Sequence, residues 1–186
     1  MTRPGLNRFI VLSGCSGGGK STLLAELARL GHAVVEEPGR RVVRREMARG
    51  GDALPWLDME AFARACIEVA LQDRVEAGRH TGWVFFDRGL VDAGSALQAA
   101  TGESMANLVA ENPYNPKAFL TPPWPELFHN DGERRHSLEE SVAEYERLQK
   151  DFAAAGYEIA VLPRVSIEDR ASRILSALGP HDAGVA

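Results

Sequence analysis

Apolar residues follow two rhythms along this chain. The run Phe9-Ile10-Val11-Leu12 predicts a buried strand over 7–12 that ends in a Gly-rich turn. Leu23, Leu24, Leu27 and Leu30 then recur at helical spacing before Gly31, which predicts a helix over 21–30 with a glycine stop. Ala33-Val34-Val35 is a second short strand, followed by a helix over 40–49 that carries five arginines. A long periodic stretch, 59–77, closes at Gly78 and delivers the chain to a third strand at Trp83-Val84-Phe85-Phe86. Further helices are expected at about 90–100 and 103–111. Pro113, Pro116, Pro122, Pro123 and Pro125 bracket Ala118-Phe119-Leu120, confining a fourth strand to a few residues. Ser137-Leu138-Glu139-Glu140 is a capping box that opens a helix reaching Gly156, a fifth strand covers 157–162, and Ser166 caps a last helix that stops before Gly179. Strands alternating with helices define an α/β class with a parallel sheet covered on both faces and right-handed crossovers. No repeat or linker divides the chain, so one domain is expected over 1–179 with a short tail at 180–186.

Composition narrows the function. The chain has 186 residues, 45% hydrophobic, with 21 basic and 26 acidic side chains and a net charge of -5. Such a balance is that of a folded globular domain and disfavours a nucleic-acid partner. The apolar runs of four residues fall far short of the roughly 20 needed to cross a bilayer, so no membrane partner is expected. The N-terminus lacks a signal-peptide pattern, so the expected location is cytoplasmic. Cys15 and Cys66 read as free thiols. Only three lysines stand against eighteen arginines, and one of them, Lys20, occupies a chemically demanding position.

Gly14-Cys15-Ser16-Gly17-Gly18-Gly19-Lys20-Ser21 satisfies G-x-x-x-x-G-K-S/T between an apolar strand and a helix start. Glycines turn successive N–H groups inward as a nest for phosphate oxygens, and the helix end adds partial positive charge. Lys20 is placed to reach the β- and γ-phosphates, Ser21 to ligate Mg²⁺, and Thr22 to contact the α-phosphate. Asp87, closing the third strand, is the candidate second Mg²⁺ ligand. Arg88 follows it where motor-type ATPases place a water-activating glutamate, which points to transfer to an acceptor other than water.

The phosphate loop, Glu36-Glu37-Pro38-Gly39-Arg40 and Asp87-Arg88-Gly89 resemble the small P-loop kinases. Thymidylate kinases carry a similar Asp-Arg pair and deoxynucleoside kinases a similar Glu-Pro. The resemblance is nearest to the AAA-domain-labelled predicted ATPases, a family similar to the nicotinamide-riboside kinase domain of bacterial NAD-biosynthesis regulators. Trp124-Pro125-Glu126, the 131–134 segment and Leu162-Pro163 also have counterparts there.

The resemblance implies a three-layer P-loop NTPase fold with strand order 2-3-1-4-5, a kinase-like lid, and ATP with Mg²⁺ as bound nucleotide and metal. Carried over, Glu37 is the candidate base for an acceptor hydroxyl, with Glu36 as the alternative that strand register decides. Arg40 and Arg88 are candidate acceptor or phosphoryl clamps, and Arg134, with Arg135 in reserve, the lid arginine. Trp124 and Glu126 are candidates for the acceptor pocket, and Pro163 for the adenine side. Arg41, Arg44, Arg45 and Arg49 read as a solvated helix face, and His129 and His136 do not form a metal pair. The segment 162–166 after the fifth strand lacks the N/T-K-x-D motif of GTPases, which favours ATP. The expected partner is a small-molecule phosphoryl acceptor; a homodimer stays open, because helices 40–49 and 59–77 suit either an interface or the monomer's own core. A nucleotide-dependent regulatory switch is the alternative function, and an oligomeric AAA machine a weaker third.

Overall fold

The computed structural model describes residues 8–127 and 137–180. The elements run β1 (Phe9–Gly14), α1 (Lys20–Arg29), β2 (Ala33–Val35), α2 (Pro38–Arg49), α3 (Met59–Ala77), β3 (Val84–Asp87), α4 (Leu90–Thr101), α5 (Ala106–Glu111), β4 (Lys117–Thr121), α6 (Leu138–Ala154), β5 (Glu158–Val161) and α7 (Ile167–Leu178). The five strands form one parallel sheet of order β2-β3-β1-β4-β5. The implied strand order therefore holds.

β1 shows why the sheet is buried on both sides. Its side chains alternate, so Phe9 and Val11 join Val84, Phe86, Ala118 and Leu120 against α3, α4 and α6. Ile10 and Leu12 face the other way, with Phe85 and Phe119, onto Leu23 and Leu27 of α1 and Ile174 of α7. The continuous apolar runs in the sequence are the mark of such doubly covered strands. Phe9, Phe86 and Tyr114 stack edge-on, with ring centres 5.2 and 5.3 Å apart. Tyr114 accepts a hydrogen bond from Leu90 N–H at 3.2 Å, which fixes the start of α4 beside the end of β3.

Arg44, Arg45 and Arg49 of α2 lie on an exposed face, as expected, whereas Arg41 reaches a buried partner. Arg41 pairs with the buried Asp73 of α3, Arg44 with Glu36, and Arg45 and Arg49 with the fully buried Glu46. The Arg41–Asp73 pair ties α2 to α3, while the other pairs lie within α2 or join it to the segment just before it. Among the described residues no helix is long and apolar enough to cross a membrane.

Candidate active site

The phosphate loop joins β1 to α1 at the C-terminal edge of the sheet. Its first residue, Gly14, has φ 112°, and a Cβ there would run into the backbone of Thr121 on β4. Cys15 N–H donates to Thr121 O at 2.9 Å, so the loop is seated on β4. Gly19 turns into α1 with φ 78°, and no side chain caps that helix, leaving its first amides free of an internal acceptor. Lys20 is buried and its Nζ donates to Cys15 O at 3.0 Å. Burial, then the nearby Arg88 guanidinium, lowers its pKa, and the carboxylates of Asp87 and Glu37 oppose them. Ser21 and Thr22 are exposed at the start of α1. Cys15 offers backbone only: its thiol is buried, makes a 3.5 Å contact to Ser141 O, and has a pKa raised by burial.

Asp87 ends β3 next to the loop and is buried. Its Oδ1 has no hydrogen-bond partner, and burial together with the Glu37 charge pushes its pKa up to about 6. A buried, unpartnered carboxylate oxygen beside a phosphate nest suits a hard divalent cation. Among the described residues no group of three His, Cys, Asp or Glu stands close enough to cage a metal ion.

Arg88 is the hub of the site. It adopts φ 61°, unusual for a residue other than glycine, and its N–H donates to Leu12 O at 2.8 Å. Its guanidinium holds Glu144 of α6 through both terminal nitrogens at 2.9 and 3.2 Å, and Gly14 O at 3.1 Å. It also meets Glu37 at 3.3 Å and Asp92 at 3.4 Å. Burial alone would lower its pKa, but Glu144, Glu37 and Asp92 outweigh that and raise it. Asp92 in turn accepts from Ser13 Oγ and, at 3.0 Å, from Gly89 N–H. Glu144 is held below the usual carboxylate range because Arg88 overcomes the opposing effect of burial.

A cavity of about 670 Å³ opens from this hub between α2 and α3 on one side and α4 and α6 on the other. Ser16 of the phosphate loop, Glu37, Arg40 and Arg88 line its polar end. Val43, Met59, Phe62, Cys66 and a series of alanines on α4 form its apolar wall. Glu37, rather than Glu36, faces this space: Glu37 meets Arg88 and accepts from Arg40 Nε at 3.2 Å, whereas Glu36 is half exposed on Arg44. Glu37 is the N-cap residue of α2, and Glu36 lies one step nearer β2.

Other expected residues lie elsewhere. Trp124 and Glu126 do not line this cavity. The Trp124 ring centre lies instead 5.7 Å from the guanidinium of Arg170, the side chain that donates to the Gly18 carbonyl of the phosphate loop. Pro163 follows β5 in the loop leading to α7, and Arg164 in that loop donates to Pro123 O at 2.5 Å. Arg134 and Arg135, with the expected lid, and His129 and His136 lie outside the described residues.

Several contributors have no motif to announce them. Glu144 is 56 residues from Arg88, and Arg170 is 152 residues from the Gly18 carbonyl to which both its terminal nitrogens donate at 3.1 Å. Arg170 is among the most buried side chains, and no carboxylate among the described residues pairs with it. Asp92 alone had a local signal, its i+4 spacing from Arg88 at the start of α4.

A five-stranded parallel sheet in this order, with the nucleotide loop after β1 and an acid ending β3, defines the P-loop kinase-type α/β fold. Residues 9–170 match the family described as an AAA domain, and the chain belongs to that family. Among curated proteins it is similar to a probable thymidylate kinase of Pyrobaculum calidifontis, 29% identical over 119 residues. That match covers 61% of this chain and 61% of the relative. Among solved structures it resembles the NadR protein in complex with NR, with TM-score 0.68 and 22% identity over 93% of this chain, but only 52% of that one. Deoxyadenosine kinase from M. mycoides, with dCMP and dCDP bound, superposes with TM-score 0.60 at 15% identity, covering 91% of this chain and 98% of that one. The chain thus spans about three fifths of the thymidylate kinase and about half of NadR.

Proposed function

We propose that this chain is an ATP- and Mg²⁺-dependent phosphotransferase that acts on the hydroxyl of a small molecule bound in the cavity between α2, α3, α4 and α6. One observation carries the reading: Ser16 of the phosphate loop and the carboxylate of Glu37 line the same cavity, so donor and acceptor sites are contiguous. Similarity to proteins named as thymidylate and deoxyadenosine kinases and to NadR supports a nucleoside- or nucleotide-like acceptor. The binding of AMP-PNP by NadR supports an adenine nucleotide donor.

In this mechanism the loop amides of 14–19 and the start of α1 receive the donor phosphates. Lys20 leaves the Cys15 carbonyl for the β- and γ-phosphate oxygens. Ser21 and Asp87 would hold Mg²⁺, which supplies charge neutralisation to the transferring phosphoryl group. Glu37 takes the proton of the acceptor hydroxyl as its oxygen bonds to the γ-phosphorus and the bond to the ADP oxygen breaks. Arg40 and Arg88 fix the Glu37 carboxylate from two sides, which sets the line of attack. Arg134 serves as the lid arginine and Pro163 and Trp124 bound the adenine side.

The test is ADP formation against nucleosides, nucleotides, vitamins and aminoglycosides. Acceptor-dependent turnover that falls about 10²–10⁴-fold in Glu37→Gln, and is lost in Lys20→Ala, is the expected result. Hydrolysis indifferent to every acceptor and to Glu37→Gln would favour the regulatory switch.

A further inference from the structure

The polar end of the acceptor cavity has an unusual charge inventory. Four carboxyl groups line the cavity: Glu37, Asp92, Glu140 and Glu144. Three guanidinium groups face them, those of Arg40, Arg88 and Arg147. Arg40 and Arg88, the two nearest Glu37, are already paired with carboxylates. Arg88 is shared by Glu144, Glu37 and Asp92. Arg40 is on Glu37. Arg147 lies one turn beyond Glu144 on α6, and its Nε donates at 3.0 Å to Ser95 Oγ, whose hydroxyl is bound to Asp151. A site for a monophosphate needs the reverse, a surplus of guanidinium or ammonium groups with edges open for bidentate contact. Here a dianionic group at the Glu37 end would be set among carboxylates, and could gain Arg40 or Arg88 only by breaking a pair that is already made.

Beyond that end the wall is apolar: Val43, Met59 and Phe62 face the alanine side of α4. The lining residues Gly89 to Ala100 of that side extend over roughly 16 Å of helix, long enough for a ring system attached to the reacting hydroxyl.

We infer that the acceptor is a phosphate-free, ring-bearing hydroxyl compound of the nucleoside type, and that the carboxylates gathered on Arg88 exclude the corresponding monophosphate. This inference rests on the phosphotransferase reading only in taking the Glu37 end as the reacting end. Glu144 is the positioning residue in it: it occupies both terminal nitrogens of Arg88 and so withholds them from an anionic acceptor.

The experiment is calorimetric titration of the full chain, loaded with AMP-PNP and Mg²⁺, with the common ribo- and deoxyribonucleosides and with the 5′-monophosphate of each. At least one nucleoside is expected to bind about 100-fold more tightly than its own monophosphate. In Glu144→Gln that ratio is expected to shrink about tenfold, through tighter monophosphate binding. A loss of both ligands together would mark a merely structural role for Glu144 and leave the wild-type ratio as the deciding measurement. A monophosphate that binds wild-type protein as well as its nucleoside, or a panel in which no nucleoside binds, overturns the inference. ADP formation with ATP in parallel samples separates the two readings: nucleoside binding with the expected ratio but no ADP refutes the phosphotransferase, while the cavity's preference for the phosphate-free ligand stands.

Discussion

Replacing Asp87 with Asn removes one charge from a site that gives that charge little support. Asp87 is 6% exposed and Oδ1 has no donor, so the neutral amide fits the same volume without breaking a hydrogen bond to that atom. Burial and the Glu37 carboxylate raise the native pKa from 3.8 to about 6. A carboxyl whose pKa rises on folding contributes fully below its unfolded value, and that contribution is lost as pH climbs through the native one. The difference of about two pKa units corresponds to about 3 kcal/mol. Near pH 4 wild type and Asp87→Asn should therefore be similarly stable in the absence of ligands. Between about pH 4 and 6 the wild type falls behind, and near pH 8 the variant should lead by about 3 kcal/mol. Urea unfolding at each pH, with EDTA present, reads this directly. Adding Mg²⁺ and nucleotide should restore wild type far more than Asp87→Asn, because only the carboxylate gains a cation partner. A stability difference that stays flat from pH 4 to 8 would refute the view of Asp87 as a desolvated, uncompensated acid.

Gly14→Ala combines a positive φ with a methyl group pressed into the Thr121 backbone, and should cost more than about 2 kcal/mol, visible as a fall of roughly 5 °C or more in Tm. Arg170→Met leaves the Gly18 carbonyl without its two donors; an unsatisfied buried acceptor costs about 1–3 kcal/mol, and ATP affinity measured by titration should fall with it, whereas Arg170→Lys should recover part of the loss. Burial pushes the Cys66 thiol up to about 12 and raises that of Cys15, so neither should react with iodoacetamide at pH 8 in the native protein, and both should react once it is unfolded in urea.

The donor half of the site was legible because its chemistry is local. Gly14 to Ser21 and Asp87-Arg88 each lie within one strand-to-helix turn, where spacing dictates geometry. The acceptor half is assembled from four helices, and nothing in periodicity says that Glu144 of α6 will meet Arg88. The same reason explains the arginines of α2: Asp73, the partner of Arg41, is 32 residues away, although the i,i+3 spacing of Glu46 and Arg49 was visible in the sequence. Trp124 follows β4 in a Pro-rich passage whose route no apolar rhythm encodes, so its place beside Arg170 required the tertiary structure. Glu36 and Glu37 follow the three-residue edge strand β2, and the start of α2 at Glu37, its N-cap, settles which of them turns toward Arg88.

Arg88 touches the backbone of β1, the N-cap residue of α2, the first turn of α4 and the middle of α6 through a single side chain. The two walls of the acceptor cavity are therefore fastened to one another at a point on the nucleotide loop. An acceptor too broad for the cleft can spread α2 from α6 only by stretching those bonds, and the strain would be delivered to Gly14, whose carbonyl the same guanidinium holds. On the proposed function, a change in the width of this cleft is transmitted to the nucleotide loop through Arg88.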